Sequence, residues 1–195
     1  MNVLIVYTYP HHNSLNGAFL KKVEEGCREN TYVNEVKVMD LYKEKFDPVL
    51  VFNETKRRRD MHQDPELANY RKMVTWADKL VFVYPIWWGR PPAMLLGFID
   101  QMFASNFAYR DTRGLFPEGL LKGKSAVCIS TMKGPTHYPR LWLNNAHKVL
   151  MKRALFGFVG IKRVTFFEFG SMEKKTGNQA KKLDRVYRYF KKIKQ

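Results

Sequence analysis

Length, composition and charge fit one globular domain with a basic surface. The chain has 195 residues, of which 45% are hydrophobic and 27% charged, which is ordinary for a protein with a sizeable core. We therefore expect one domain over residues 1–195. The 34 Lys and Arg residues outnumber the 18 Asp and Glu residues, giving a net charge of +16. Such a field attracts phosphorylated cofactors, nucleic acid or acidic membranes, although a solvated basic surface is commoner and no nucleic-acid motif is present.

The cysteines and the first residues indicate the compartment. Cys27 and Cys128 are far apart and show neither a CxxC pattern nor metal-ligand spacing, so we expect buried free thiols in a reducing cytosol. The apolar stretch at residues 2–6 is too short for a signal peptide and lacks a basic region before it. We therefore expect a cytoplasmic protein.

Strands and helices alternate along the chain. Apolar runs predict strands at 2–8, 79–84 and 125–131, and two further strands are predicted at 33–39 and 164–169. Amphipathic spacing predicts helices at 14–29, 65–78, 93–104, 138–156 and 174–194. Such alternation predicts an α/β fold with a doubly wound parallel sheet and helices on both faces, and five strands favour the flavodoxin-like order 2-1-3-4-5. The polar, proline-containing connection at 43–63 is too long for a simple turn, so we expect it to be functional or to form an interface.

The most informative stretch is 79–103, KLVFVYPIWWGRPPAMLLGFIDQMF. Its strand ends at Pro85, and Pro91 and Pro92 stand where the next helix begins. The turn at 86–89 therefore lies at the carboxyl end of a strand, where open α/β sheets bind ligands. Aromatic walls and backbone N–H groups suit a planar cofactor, although the two Trp residues can also be plain core. The prolines and the charge of Arg90 within this stretch argue against a membrane span.

Three loops are expected at one edge of the sheet, at 9–16, 86–89 and 131–138. The first precedes a helix, whose N-terminal N–H groups and dipole favour a phosphate. Ser14 and Asn16 can add hydrogen bonds there and His11 can face the charge, although helix capping explains Ser14 equally well. Adjacent histidines without a third ligand do not predict a metal site. No GxGxxG follows the first strand, which argues against a Rossmann dinucleotide site.

Four segments of the sequence resemble one known family. They are similar to the NAD(P)H:quinone oxidoreductase family of flavoproteins. The segments are LIVYTYPHHNSLNGAF, then DLY with FDPVL, then WADKLVFVYPIWWGRPPAMLLGFIDQMF, and GLLKGKSAVCISTMKGPTHY. The resemblance covers roughly residues 1–145, with a weaker match at GFVGIK. The family includes DT-diaphorases, bacterial quinone and drug reductases, and regulatory flavoproteins of potassium efflux systems. It implies a flavin, FAD or FMN, on a flavodoxin-like fold, with ping-pong hydride transfer from NAD(P)H through flavin N5 to a quinone-like acceptor.

The resemblance also implies roles for individual residues. The flavin phosphate would be held by Ser14, Leu15 and Asn16, with His11 beside it. The isoalloxazine ring would be flanked by Pro85, Ile86, Trp87, Trp88 and Gly89, and its other edge would be lined by Thr131, Met132, Lys133 and Gly134. Tyr138 would be the active-site tyrosine.

This chain departs from the family pattern in each loop. The family's first loop begins with His-Pro or His-Ser, whereas this chain has Tyr9-Pro10. In its third loop Lys133 replaces a usual glycine. The histidine that larger enzymes carry six positions after the tyrosine is here Asn144, and we expect His147 on the next helix.

The leading hypothesis is a homodimeric flavin reductase acting on quinones. The aromatic segment FASNFAY at 103–109 motivates the dimer, because clustered apolar residues on a surface mark interfaces. The alternative is a flavin-bearing regulatory subunit of a membrane potassium efflux transporter, motivated by the positive charge and the basic last helix. A third, weaker reading is an electron-carrier flavodoxin, although those carriers are typically acidic. We expect no specific nucleic acid and no membrane insertion, while peripheral membrane contact stays open.

Overall fold

The computed structural model describes residues 1–171 and 178–194. Seven strands are present in these ranges: β1 Asn2–Tyr7, β2 Glu35–Asp40, β3 Lys79–Pro85, β4 Tyr109–Arg110, β5 Glu118–Gly119, β6 Ser125–Thr131 and β7 Arg163–Phe169. The α-helices are α1 Leu15–Arg28, α2 Ala68–Trp76, α3 Ala93–Met102, α4 Tyr138–Trp142, α5 Ala146–Val149 and α6 Asn178–Lys192. A π-helix at Leu150–Gly157 and 3-10 turns at Arg58–Gln63 and Pro65–Leu67 complete the described helices.

Five parallel strands form the main sheet, in the order β2-β1-β3-β6-β7. Counted along the chain, this is the predicted order 2-1-3-4-5, so the predicted flavodoxin-like fold class is confirmed. The register pairs Tyr7 with Val83 and Pro85 with Thr131. The ends of β1, β3 and β6 therefore meet at one carboxyl edge, where the three loops of interest begin.

Both faces of the sheet are covered, because the central strands are apolar on both sides. One face packs against α1 and α6, with the rings of Phe19 and Phe169 stacked at 4.6 Å. The other face packs against α2, α3 and the π-helix, where Phe82 contacts Phe156 at 5.2 Å between ring centroids. No helix in the described ranges is both long and apolar enough to cross a membrane.

The prediction of one helix over 138–156 is wrong. That stretch divides into α4, α5 and the π-helix, because Asn144 and Asn145 adopt left-handed φ values of 46° and 53°. Two left-handed residues end the helical hydrogen-bond pattern, and a new helix begins at Ala146.

Smaller differences concern other elements. The antiparallel pair of β4 and β5 was not predicted. The last helix begins at Asn178 among the described residues, and the first part of its predicted range lies outside them. The aromatic segment 103–109 is less exposed than expected, because Phe103 and Phe107 pack partly against the core. The exposure of this segment therefore does not support a role for it in an interface.

Candidate active site at the carboxyl edge of the sheet

The first loop delivers the N-terminus of α1 to the edge of the sheet. Ser14 is the helix N-cap: its Oγ accepts a hydrogen bond from Gly17 N at 3.0 Å and donates one to His11 O at 2.7 Å. The capping interpretation of Ser14 is therefore confirmed. Within the described ranges, the N–H groups of Leu15 and Asn16 meet no acceptor, which is the arrangement that receives an anion at a helix N-terminus.

The two histidines of this loop point elsewhere. The His12 ring hydrogen-bonds Asp40, at the end of β2, with 2.5 Å between Nε2 and Oδ2. The His11 side chain is exposed and lies edge-on to Tyr9, with ring centroids 6.3 Å apart. The His11 carbonyl oxygen accepts from both Ser14 and Tyr7. His11 thus supports the loop through its backbone, and it is not among the residues that line the cavity described below.

The second loop is a tight turn that separates the two Trp residues. Trp87 N donates to Arg90 O at 3.0 Å, and Arg90 N donates to Trp87 O at 3.1 Å. Trp88 and Gly89 between them have φ values of 53° and 73°, as in a type I′ turn. This conformation leaves 96% of Trp88 exposed, whereas Trp87 is half-buried. Of the two Trp residues, Trp87 therefore lies at the cavity described below, whereas Trp88 does not.

The third loop is tied to the first two. Thr131 Oγ1 donates to Asn16 Oδ1 at 3.2 Å, and Ile86 N donates to Thr131 O at 2.8 Å. Asn16 and Thr131 are both buried. On the far side, Ser171 N donates to Gly134 O at 2.8 Å. Hydrogen bonds thus hold the three loops in one arrangement.

These loops enclose a cavity of about 390 Å³. This volume falls within the range of small-molecule sites. Nine predicted site residues line the cavity, together with Tyr9: Ser14, Leu15, Asn16, Pro85, Ile86, Trp87, Thr131, Met132 and Lys133. The other predicted residues, His11, Trp88, Gly89, Gly134 and Tyr138, do not line it. Tyr9 lines the cavity without a role predicted from the sequence, although its position two residues after the end of β1 is a signal for this edge of the sheet.

The segment 138–145 adjoins the turn of the second loop. Tyr138 is 46% exposed and stacks on Trp142, with 5.7 Å between ring centroids and 15° between planes. Leu143 lies so close to Gly89 that a Cβ added there would be 2.8 Å from Leu143 Cδ1. The turn and the segment that carries Tyr138 therefore pack against each other beside the cavity.

A buried polar chain behind this segment was not predicted. His147 Nε2 lies 2.7 Å from Tyr84 Oη, and His147 Nδ1 lies 2.9 Å from Glu168 Oε1. Burial raises the pKa of Tyr84, so its hydroxyl stays protonated. Burial opposes the ionisation of Glu168, but hydrogen bonds from His147 and Lys148 outweigh it, so the pKa of Glu168 lies below its ordinary value. No local sequence pattern predicts these contacts.

These features define a flavodoxin-like cofactor-binding protein: an open parallel sheet, a helix N-terminus with free N–H groups that can bind an anion, and an aromatic turn at the carboxyl edge. A family model described as a flavodoxin-like fold matches residues 1–193. The chain therefore belongs to this flavodoxin-like family, and the resemblance inferred from its motifs is confirmed.

Three individual proteins are similar to this chain over most of its length. It is 40% identical to the solved structure of Smu.1420 from Streptococcus mutans, with a TM-score of 0.90 over 99% of this chain and 100% of that one. It is 29% identical to an uncharacterized NAD(P)H oxidoreductase of Haemophilus influenzae, over 88% of this chain and 85% of the relative. It is 31% identical to the human ribosyldihydronicotinamide dehydrogenase [quinone], over 68% of this chain but only 63% of that enzyme.

Proposed function

We propose that this protein is a flavin-dependent NAD(P)H:quinone oxidoreductase of the cytoplasm. The cavity at the carboxyl edge carries the proposal, because it joins an anion-binding helix terminus to an apolar aromatic wall. A flavin mononucleotide portion has the same two parts, a phosphate and a planar ring. The names of the Haemophilus and human relatives supply the reaction class.

The residues present fit a flavin, whether FMN or FAD. The backbone N–H groups of Leu15 and Asn16 and the Ser14 cap would hold the phosphate. The ring would lie between Trp87 and the strand ends, against the residues that line the cavity: Pro85, Ile86, Thr131, Met132 and Lys133. When bound, the flavin supplies the centre that takes hydride from NAD(P)H and reduces a quinone in a second, separate half-reaction.

The position of Tyr138 beside the cavity supports a role for it in this reaction. Its segment packs against the turn of the second loop, and nearly half of its side chain is exposed there. The Tyr138 hydroxyl can donate a hydrogen bond to an oxygen of the quinone as negative charge develops on that oxygen. Replacing Tyr138 with Phe should therefore lower quinone turnover without lowering flavin content.

The exposed apolar residues support a two-fold dimer. Trp88 on the turn of the second loop, and Leu141 and Trp142 in segment 138–145, expose between 62% and 96% of their surface. Along the 43–63 connection, Val49, Val51 and Phe52 are also exposed. Apolar patches of this kind mark contact surfaces, and a two-fold pairing would cover both copies at once. The partner would then help to enclose each cavity from solvent.

The decisive experiment is the absorption spectrum of the purified protein, followed by titration of the stripped protein with FMN and FAD. Binding should quench flavin fluorescence, because Trp87 would contact the ring. The loaded protein should then oxidise NADH or NADPH with menadione as acceptor, without a second protein. A colourless protein that quenches neither flavin would refute the assignment. Copurification with a membrane partner and the absence of turnover by the protein alone would instead favour a regulatory subunit.

A further inference from the structure

His147 bridges two strands of the sheet through both nitrogens of its ring. Nε2 contacts Tyr84 on β3 at 2.7 Å, and Nδ1 contacts Glu168 on β7 at 2.9 Å, with β6 between these strands. Only 1% of His147 is exposed. The second carboxylate oxygen of Glu168 pairs with Lys148 Nζ at 2.6 Å. Both ring nitrogens and both carboxylate oxygens are therefore used, and the ring has one fixed orientation.

The segment on the N-terminal side of His147 has little else to hold it. Between residues 133 and 150, only Pro139 and His147 are buried. Helix α4 has five residues, and a helix this short is not stable by itself. Helix α5 continues directly into the π-helix, which the buried Met151 and Phe156 hold in the core. The left-handed pair Asn144 and Asn145 separates the two helices and removes the support of a continuous helix. Pro139 and His147 thus supply the buried side chains of this stretch, and the polar bridge of His147 ties its C-terminal end to two strands of the sheet.

The bridge also lies next to the proposed site. Tyr84 directly precedes Pro85 and Ile86, which line the cavity. We propose that His147 is a positioning residue, which clamps segment 138–145 to the sheet and so holds Tyr138 at the cavity for the acceptor. This inference rests on the proposed function, since it gives His147 a role in the same reaction. His147 itself contacts neither the cavity nor Tyr138.

The chemistry of the bridge defines graded variants. With a neutral ring, Nδ1–H donates to the Glu168 carboxylate and Nε2 accepts from the Tyr84 hydroxyl, which burial keeps protonated. Replacing His147 with Phe removes both bonds and approximately keeps the volume. Replacing Tyr84 with Phe removes one bond and leaves the other. Replacing Glu168 with Gln keeps an oxygen acceptor for Nδ1–H and is the conservative variant.

The test compares flavin-loaded wild type with these variants. His147→Phe should lower kcat for menadione by on the order of 10- to 100-fold, because a misplaced group loses that much. Flavin affinity should stay within about threefold of wild type, as expected for a site that the bridge does not touch. Trypsin should cleave faster after Arg140 or Lys148. Tyr84→Phe should show the same changes more weakly, and Glu168→Gln should retain most of the wild-type kcat. If His147→Phe does not fold, Tyr84→Phe provides the same test of the bridge.

Two controls separate positioning from general destabilisation. Val186→Ala, buried on the opposite face of the sheet, should lower Tm but change neither kcat nor cleavage near Arg140. In a Tyr138→Phe background, the effect of His147→Phe on kcat should largely disappear, because both changes act through one hydroxyl. Full additivity of the two changes, or unchanged cleavage in His147→Phe, would overturn the clamp. A wild-type protein without flavin would refute the proposed function, and the cleavage pattern alone would then decide whether His147 holds the segment.

Discussion

Gly17 and His12 approach each other so closely that a Cβ atom at position 17 would lie 1.8 Å from the His12 carbonyl oxygen. The first turn of α1 therefore packs directly against the preceding loop, and glycine is required by this contact alone, since its φ is not left-handed. The close packing fixes the loop whose N–H groups face the cavity.

This contact predicts the effect of Gly17→Ala. The loop must move by more than an ångström, so we expect a loss of stability of about 1–3 kcal/mol, as for other overpacked sites. Flavin affinity should fall by at least about tenfold, because the N–H groups of Leu15 and Asn16 move with the loop. Thermal unfolding and a flavin titration measure the two effects. Gly114→Ala is the control, because a Cβ there has only an ordinary contact at 3.4 Å. Unchanged flavin affinity in Gly17→Ala would show that this loop does not hold the cofactor.

The two Trp residues of the second loop should differ in their effect on flavin. Trp87→Ala should weaken flavin binding by about 1–3 kcal/mol, the usual scale for a buried aromatic contact. Trp88→Ala should change flavin affinity little, because Trp88 is almost fully exposed and does not line the cavity. Fluorescence titration of each folded variant, checked by circular dichroism, measures the difference. A larger loss in Trp88→Ala would mean that the ring contacts the tip of the turn.

The backbone of Trp88 predicts a further difference between two variants. Its φ of 53° is costly for a bulky residue and free for glycine. Trp88→Gly should therefore be more stable than Trp88→Ala by roughly 1 kcal/mol, measured by urea unfolding. Equal stabilities would indicate that the turn relaxes without cost.

Much of the fold was predictable because the strands are apolar on both faces and the connections between them carry helical spacing. The three loops followed from the same argument, since parallel strands end at one edge. The exposure of Trp88 was not predictable, because a type I′ turn is normally announced by Asn-Gly and not by Trp-Gly. The break at Asn144 was hidden by helical spacing on both of its sides. The bridge from Tyr84 through His147 to Glu168 joins residues 63 and 21 positions apart, and only tertiary structure brings them together.

The exposed apolar residues of the 43–63 connection provide a test of the proposed dimer. Phe52→Asp places a charge among Val49 and Val51, which expose 63% and 53% of their surface. If a second copy covers this strip, the variant should shift toward monomer in light scattering and lose quinone turnover more than flavin content. Asn34→Asp adds the same charge at an exposed position next to the amino end of β2 and should change neither. Wild-type protein that is monomeric at micromolar concentration and fully active would contradict the dimer.

The two cysteines should be unreactive in the folded protein. Burial raises the pKa of Cys27 and of Cys128 to about 12, and the thiolate is the form that attacks thiol reagents. At pH 8 a disulfide reagent should label neither thiol in the native state and both after unfolding in guanidinium. Because the folded pKa values lie above the unfolded value of about 8.5, the thiols favour the folded state below that pH. This contribution is lost as the pH rises toward 12. Labelling of the native wild-type protein within minutes would contradict the burial of the labelled thiol. The Cys128→Ala variant, which keeps only Cys27, then shows which of the two thiols reacts.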